Sequence, residues 1–237
     1  MQVRQGPFGG PCEALLALDD EMEAEAAMEF AATRLQSLKQ GGAGVVRLYR
    51  PPPTAAFTGS ETRLSGFDAA QAAVREFGFQ PLVRQPGGHL AIYDRNSLIL
   101  DIVAPHDEPR LDMMARFEGL AQMLCEVFRA FDIDAEVGPV PGEFCSGKYS
   151  VNDGGLRKLA GLAQRISRNG YHLSALMLIS PSLACDQALA QAYHHLGLEF
   201  DPQSQGEIAA NAKNFSVSEL SEMLMIHAMN LVQSRLG

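Results

Sequence analysis

No stretch of this sequence approaches the ~18 consecutive apolar residues that a membrane-spanning helix needs. The densest apolar run, Leu173 to Ile179, has the length of a strand. The N-terminal residues carry no long apolar segment behind a basic start, so no secretory leader is expected. A cytoplasmic protein without membrane partners is the expectation. Lysine is scarce, with 15 Arg against 4 Lys (Lys39, Lys148, Lys158, Lys213). No basic block occurs, and the densest cluster is Arg157, Lys158, Arg165 and Arg168. With 28 acidic against 19 basic residues the formal charge is −9. That balance disfavours nucleic acid as a partner, because phosphate backbones are bound by basic surfaces. The four cysteines (Cys12, Cys125, Cys145, Cys185) are irregularly spaced, with no CxxC pair and no zinc pattern. They read as free thiols. No GxxxxGK[ST], GxGxxG or GxSxG motif is present.

What is present describes a globular chain. Its 237 residues are 46% apolar and 20% charged, enough to bury a core without staples. Residues 12–39, rich in Ala, Leu, Met and Glu, predict a helix ended by Gly41-Gly42. Val45–Tyr49 predicts a strand, stopped by Pro51-Pro52-Pro53. Phe67–Phe77 predicts a helix and Pro81–Gln85 a short strand. Leu90–Tyr93 and Leu98–Val103, separated by Asp94-Arg95-Asn96, predict a hairpin. Apolar residues at Leu111, Met114, Phe117, Ala121, Leu124, Phe128 and Phe131 predict an amphipathic helix over 110–131. Ala135–Val137 and Tyr149–Asn152 read as short strands flanking a Pro- and Gly-rich loop. Asp153-Gly154-Gly155 and Asn169-Gly170 are turn chemistry, which makes 156–168 and 171–180 paired strands. Helices follow at 182–196 and 216–236, each with a Ser as N-cap. The order lacks regular strand–helix alternation. It predicts an α+β fold with mixed, largely antiparallel sheets packed with helices.

Several residues stand out chemically. Cys145 sits among small, polar and turn-forming neighbours (Pro-Gly-Glu-Phe-Cys-Ser-Gly-Lys-Tyr), unlike a core thiol. Two readings are open from the residues alone: an idle loop cysteine, or a nucleophile activated by a nearby ammonium or backbone N–H groups. Cys125 and Cys185, on apolar helical stretches, read as packing residues, and Cys12 as inert. Lys158, on a strand with Gly161 close behind, either faces solvent or points into a cleft to hold a carbonyl or phosphate oxygen. Arg84 could grip a carboxylate or phosphate. Gly87-Gly88 either allow close backbone approach to a ligand or simply make a turn. His89, His106, His172, His194 and His195 are scattered and form no metal triad.

Taken together, four segments resemble the biotin/lipoate A/B protein ligase family, which includes lipoate–protein ligases, octanoyltransferases and octanoyl/lipoyl amidotransferases. Leu48-Tyr49-Arg50-Pro51 through Gly59 resembles its first strand, proline and glycine. Val83-Arg84-Gln85-Pro86-Gly87-Gly88-His89 through Asp94 resembles its Arg-(x)-Ser-Gly-Gly segment. Val151 through Arg165 resembles its signature stretch, with the family lysine at Lys158. Gly170-Tyr171-His172 then leads into the final strand. Gly142-Glu143-Phe144-Cys145-Ser146-Gly147-Lys148-Tyr149 fits the cysteine-dependent amidotransferase branch. The sequence departs from the family at Pro86, where Ser is usual, and at Leu173-Ser174, where many ligases and octanoyltransferases carry His-Gly.

The resemblance implies a biotin/lipoate ligase-like catalytic domain over 1–237, with its core at 45–180. The roughly 57 residues after Ser180 are too few for a large C-terminal accessory domain. It implies Cys145 as acyl-accepting nucleophile and Lys158 on the acyl carbonyl. Arg84, Gly87, Gly88, His89, Gly161, Gln164 and His172 would surround the substrate. The substrate would be an octanoyl or lipoyl group moved between lipoyl-domain proteins, the H protein and E2 subunits of 2-oxoacid dehydrogenases. No metal or cofactor would be required. ATP would enter only if the chain were instead a lipoate–protein ligase that holds an acyl-adenylate with Lys158. The same residues are also compatible with a non-catalytic lipoyl-domain or acyl-chain binder, and with a thiol hydrolase. His89 and His172 are candidates for the general base.

Overall fold

A strand that is apolar at almost every position has to be covered on both faces, and Ser97–Pro105 (SLILDIVAP) is such a run. In the computed structural model, which describes residues 6–213 and 215–233, it is a central strand. The elements in chain order are β1 (Cys12–Ala17), α1 (Ala24–Ser37), β2 (Gly44–Tyr49), β3 (Thr54–Thr58), α2 (Phe67–Glu76), β4 (Gln80–Arg84), β5 (Ala91–Tyr93), β6 (Ser97–Pro105), α3 (Met113–Arg129), β7 (Ala135–Val137), β8 (Val151–Asp153), β9 (Lys158–Ile166), β10 (Gly170–Leu178), α4 (Leu183–Leu196), α5 (Ile208–Asn211) and α6 (Val217–Gln233). A seven-stranded sheet runs β1-β2-β6-β10-β9-β8-β7, and a three-stranded sheet runs β4-β3-β5. The β1–β2 and β3–β4 pairs are parallel. The remaining pairs are antiparallel. This is the α+β class expected, with mixed, largely antiparallel sheets.

The period-2 alternation of strands divides the large sheet into two faces. Leu98, Leu100, Ile102 and Ala104 of β6, with Tyr171, Leu173, Ala175 and Met177 of β10, join the main core against α3 and α6. Ile99 and Leu176 face the other way, into a second core shared with the small sheet, α2 and α4. On that second side α1 covers the outer part of the sheet, where Leu35 and Leu38 pack on Val45 and Val103. Between α1 and the small sheet the packing is incomplete, and a cavity remains.

Three expectations need correction. The helix expected over 12–39 begins only at Ala24. Cys12–Ala17 is a strand despite its helix-forming composition, because pairing with β2 from Cys12↔Gly44 to Ala17↔Tyr49 outweighs local propensity. The two runs around Asp94-Arg95-Asn96 do not form a hairpin. β5 pairs with β3 in the small sheet, whereas β6 pairs with β2 and β10 in the large one. The Asp94 carboxylate accepts the Asn96 N–H at 2.8 Å and turns the chain from one sheet to the other. The amphipathic helix is real, but its apolar stripe does not reach its start: Leu111 is 66% exposed. There the buried position belongs to Arg116, which donates to Gln164 at 2.8 Å and to the Pro7 carbonyl at 3.1 Å. The Asn169-Gly170 turn joins β9 to β10 as expected, and Ser182 caps α4 through the Cys185 N–H. The expected end of the last helix, 234–236, and the first residues of the N-terminus, 1–5, lie outside the described residues.

Candidate functional site

The cavity has a volume of about 330 Å³, at the small end of the ~300–1,000 Å³ typical of ligand pockets. Its floor is the second face of the large sheet, with Ile99, Asp101, Gly161, Ala163, His172, Ser174 and Leu176. Its roof includes Met28 and Ala31 of α1 and Leu82, Arg84 and Pro86 from β4 and the turn after it. Cys145 and Lys158 lie on its wall.

Cys145 sits in the loop between β7 and β8 with φ of +44°. Among the described residues only Asp132 shares that left-handed conformation without being glycine. The strain this entails is held by fixed contacts on both sides of the residue. Its N–H donates to the Tyr193 hydroxyl at 2.8 Å, and that hydroxyl donates to the Leu90 carbonyl at 2.8 Å. Burial pushes the Tyr193 phenol up, so it stays a hydroxyl able to do both. Lys158 Nζ donates to the Phe144 carbonyl at 2.8 Å and the Cys145 carbonyl at 3.2 Å.

The sulfur is presented to two donors. The His89 backbone N–H lies 3.2 Å from Sγ, and Arg84 Nη2 lies 3.5 Å from it. Arg84 also donates to the His89 carbonyl at 2.9 Å, which ties the guanidinium to the same turn. Both contacts strengthen as the sulfur gains negative charge. Gly88 makes this approach possible: its φ is +103°, and a Cβ there would lie 2.7 Å from Cys145 Sγ. A Cβ at Gly87 would meet nothing within 4 Å. The other thiols are placed differently. Burial pushes Cys12 up to about 11 and Cys185 up to about 12, and it raises Cys125 as well.

Lys158 starts β9 and is 0% exposed. Burial pushes its pKa down, and Glu143 and the Cys145 sulfur oppose that. Its ammonium stands 3.6 Å from Glu143 Oε2 and 4.4 Å from the Phe144 ring centre. The other Glu143 oxygen accepts the Gly147 N–H at 3.0 Å and the Ser150 hydroxyl at 2.8 Å, closing the loop around Cys145. Gly161 gives the lysine its space, since a Cβ there would lie 2.9 Å from Lys158 Cε.

The structure thus brings Arg84, Gly88, the His89 backbone, Cys145, Lys158 and Gly161 together around the sulfur and the ammonium beside the cavity. The His89 ring is half-exposed, with Nδ1 3.6 Å from buried Glu61. Glu61 also accepts the Leu90 N–H at 2.6 Å and the Thr58 N–H at 2.8 Å, which fixes the turn. His172 lies on the cavity floor, bonded to Asp101 at 2.8 Å. Burial alone would raise the Asp101 carboxyl, but the His172 ring, hydrogen bonds from His172 and Ser174, and Arg47 outweigh it and hold it below its ordinary value. Gln164 is not on the cavity wall: it holds Arg116 and donates to the Met113 carbonyl at 3.1 Å. Sequence reasoning missed Glu61, Asp101, Glu143 and Tyr193. Among the described residues no three His, Cys, Asp or Glu side chains converge as a metal site, and no helix is long and apolar enough to cross a membrane.

The family model of the lipoyl protein ligase A/B catalytic domain matches residues 23–233. The chain belongs to that family. It is 26% identical over 153 residues to an octanoyl-[GcvH]:protein N-octanoyltransferase of Geobacillus kaustophilus, covering 65% of this chain and 54% of that protein. The chain spans little more than half the length of the curated relatives it matches (54% and 57%). Two solved structures share the fold. A T. acidophilum lipoate protein ligase with bound lipoic acid superposes with a TM-score of 0.71 at 16% identity, over 94% of this chain and 86% of that one. A lipoate-protein ligase A bound with ATP superposes with a TM-score of 0.70 at 15% identity, over 95% of this chain and 87% of that one. These family members supply the frame in which Cys145 and Lys158 are placed.

Proposed function

We propose that this chain is an octanoyl or lipoyl transferase that works through a thioester on Cys145 and needs no ATP. The observation that carries the reading is the sulfur itself: it lines a largely apolar cavity with a guanidinium and a backbone N–H directed at it. The name of the Geobacillus relative points to octanoylated GcvH as donor. A lysine of another lipoyl domain, such as that of an E2 subunit, would be the acceptor.

In the first step the Cys145 thiolate adds to the carbonyl of the donor's acyl-lysine amide. The C–N bond breaks, and the donor amine leaves with a proton given by the group that later takes one from the acceptor amine, since the second step is the first in reverse. In the second step the acceptor lysine amine adds to the thioester, the C–S bond breaks, and the thiolate returns. Covalent catalysis divides the transfer into two accessible steps. Lys158 has three ammonium hydrogens, two of them given to the Phe144 and Cys145 carbonyls. The ammonium also pairs with Glu143 at 3.6 Å, and its positive charge beside the cavity would stabilise the charge that develops on the acyl oxygen on addition. The acyl chain lies on the cavity floor, each methylene contributing about 0.8 kcal/mol. The acceptor amine must lose a proton at the cavity mouth. We assign the role of taking it to His89, whose ring is half-exposed beside Glu61 and whose backbone N–H faces the sulfur.

The test is intact protein mass after mixing with octanoylated GcvH in the absence of ATP, beside Cys145→Ala. The expected result is one octanoyl adduct on the wild type alone, discharged when an acceptor lipoyl domain is added. In His89→Ala formation and discharge of the adduct should both slow. Modification of the lipoyl domain only with free octanoate or lipoate and ATP would instead make this a ligase. Binding without any adduct would make it an acyl-chain or lipoyl-domain binder, and discharge only to water a thiol hydrolase.

A further inference from the structure

A two-step transfer leaves a thioester waiting on Cys145 between the steps, and it waits beside an amine. Lys158 lines the same cavity as Cys145, and its Nζ donates to that residue's own carbonyl at 3.2 Å. A group near enough to stabilise charge on the acyl oxygen is also near the acyl carbon. Amines attack thioesters, which is the chemistry the acceptor lysine uses. An ammonium has no lone pair and is inert, whereas the free amine of Lys158 would take the acyl group itself. We propose that Glu143 protects the acyl-enzyme: its buried carboxylate holds the proton on Lys158 and so prevents Lys158 from acylating itself. This rests on the thioester reading. Glu143 acts through Lys158 and does not touch the acyl group.

The placement of Glu143 suits that task. Its Oε1 is fixed by the Gly147 N–H at 3.0 Å and the Ser150 hydroxyl at 2.8 Å, so the carboxylate is not free to turn away. Its Oε2 is buried, accepts no hydrogen bond from the described residues and stands 3.6 Å from Lys158 Nζ. The charged groups that act on Nζ are Glu143, the Cys145 sulfur and Arg84. Burial and Arg84 favour the amine, whereas Glu143 and the sulfur favour the ammonium. Acylation alters this balance. A thiolate supports the ammonium with its negative charge, and a thioester carries none. The sulfur's support is withdrawn just when a thioester is present, and Glu143 is left to oppose burial and Arg84. A buried lysine without a counter-charge releases its proton rather than remain charged.

The reaction that Glu143 prevents needs no co-reactant. The Lys158 amine adds to the thioester carbonyl, the C–S bond breaks, and an amide forms on Nζ. The proton lost by the nitrogen passes to the departing thiolate. The product lacks the ammonium on which addition at Cys145 depends, so the enzyme has no route back.

The experiment acylates Cys145 with p-nitrophenyl octanoate, whose good leaving group spares the need for an ammonium. Intact mass is read before and after hydroxylamine, which cleaves thioesters and leaves amides, and the adduct is located by peptide mapping. Wild type should hold a hydroxylamine-labile octanoyl group on Cys145. In Glu143→Gln the group should become resistant and map to Lys158, at least ~10-fold faster than in wild type, since each unit by which the titration point falls multiplies the amine fraction about tenfold. Glu143→Gln/Cys145→Ala should show no octanoyl-Lys158. A labile adduct of equal lifetime in wild type and Glu143→Gln, or octanoyl-Lys158 in the double variant, would overturn the proposal. Should Glu143→Gln not fold, the wild-type acyl-enzyme is moved from about pH 7 to about pH 10, near the ordinary lysine value. Octanoyl-Lys158 should then accumulate, and hydrolysis alone would overturn the protective role. Octanoylated GcvH as a second donor separates this inference from the reading beneath it. Acylation by the ester but not by GcvH, with the shift to Lys158 still seen in Glu143→Gln, would retain the protection and remove the transferase. No adduct on Cys145 from either donor would remove both.

Discussion

Alanine at Gly88 tests the placement of the sulfur directly. The residue has φ of +103°, and an added Cβ would stand 2.7 Å from Cys145 Sγ and 3.0 Å from Arg84 Nη2. Non-bonded heavy atoms settle at ~3.5–4.0 Å, so the sulfur must give by about 1 Å. It is poorly able to do so, because Tyr193 and Lys158 hold the backbone on either side. A misplacement of that size in a reacting group costs on the order of 100-fold in rate. The backbone conformation itself adds about 1–3 kcal/mol of strain in a residue other than glycine, which lowers Tm by a few to about ten degrees at this size. Gly87→Ala is the matched control, since its Cβ meets nothing within 4 Å. The assay is the single-turnover rate of Cys145 acylation, with Tm recorded for both variants. Acylation of Gly88→Ala at the wild-type rate, or an equal loss in both variants, would refute the claim that the turn is shaped around the sulfur.

Two further perturbations address the buried charges. Lys158→Met should destabilise the protein by about 3–5 kcal/mol in urea unfolding, because Glu143 is left buried without its partner. Adding Glu143→Gln should restore most of that stability and none of the acylation; a single variant as stable as wild type would show that the pair is not coupled. Asp101 titrates below its ordinary 3.8 in the folded protein. Between the folded and ordinary values the unfolded chain binds more protons, so stability is lost as pH falls through that window. Asp101→Asn should therefore flatten the acid limb of stability below pH 3.8 relative to wild type, and identical acid limbs would contradict the assignment.

Most of the fold was legible because its signals are local. Asn169-Gly170, Asp153-Gly154-Gly155 and the capping Ser182 act within a few residues, and the elements they bound appear where expected. The failures arise where distant partners decide. Cys12–Ala17 has the composition of a helix but lies against β2. Ala91–Tyr93 and Ser97–Pro105 are adjacent in sequence and belong to different sheets. No property of either run alone distinguishes a hairpin from a strand that switches sheets. A strand buried on both faces does need neighbours on both edges, and that requirement was present in the almost continuously apolar run of β6.

The site divides along the same line. Cys145, Lys158, Arg84 and the paired glycines carry their chemistry in their own neighbourhoods, so their candidacy could be stated from the residues. Tyr193 and Glu61 reach Cys145 and Leu90 from remote parts of the chain, and no spacing announces that. Asp101 and Arg47 are the instructive cases. Each is a single charge in an otherwise apolar strand, SLILDIVAP and GVVRLY. A charge in such a strand cannot be left without a partner in the core. It must have one across the sheet or face a cavity, and here the two charges are opposite one another in register. Two such interruptions of opposite sign in separate buried strands therefore carry information about strand pairing and about the polarity of one wall of the site. That pattern, rather than any motif, is the signal from which the polar row on the cavity floor could have been found.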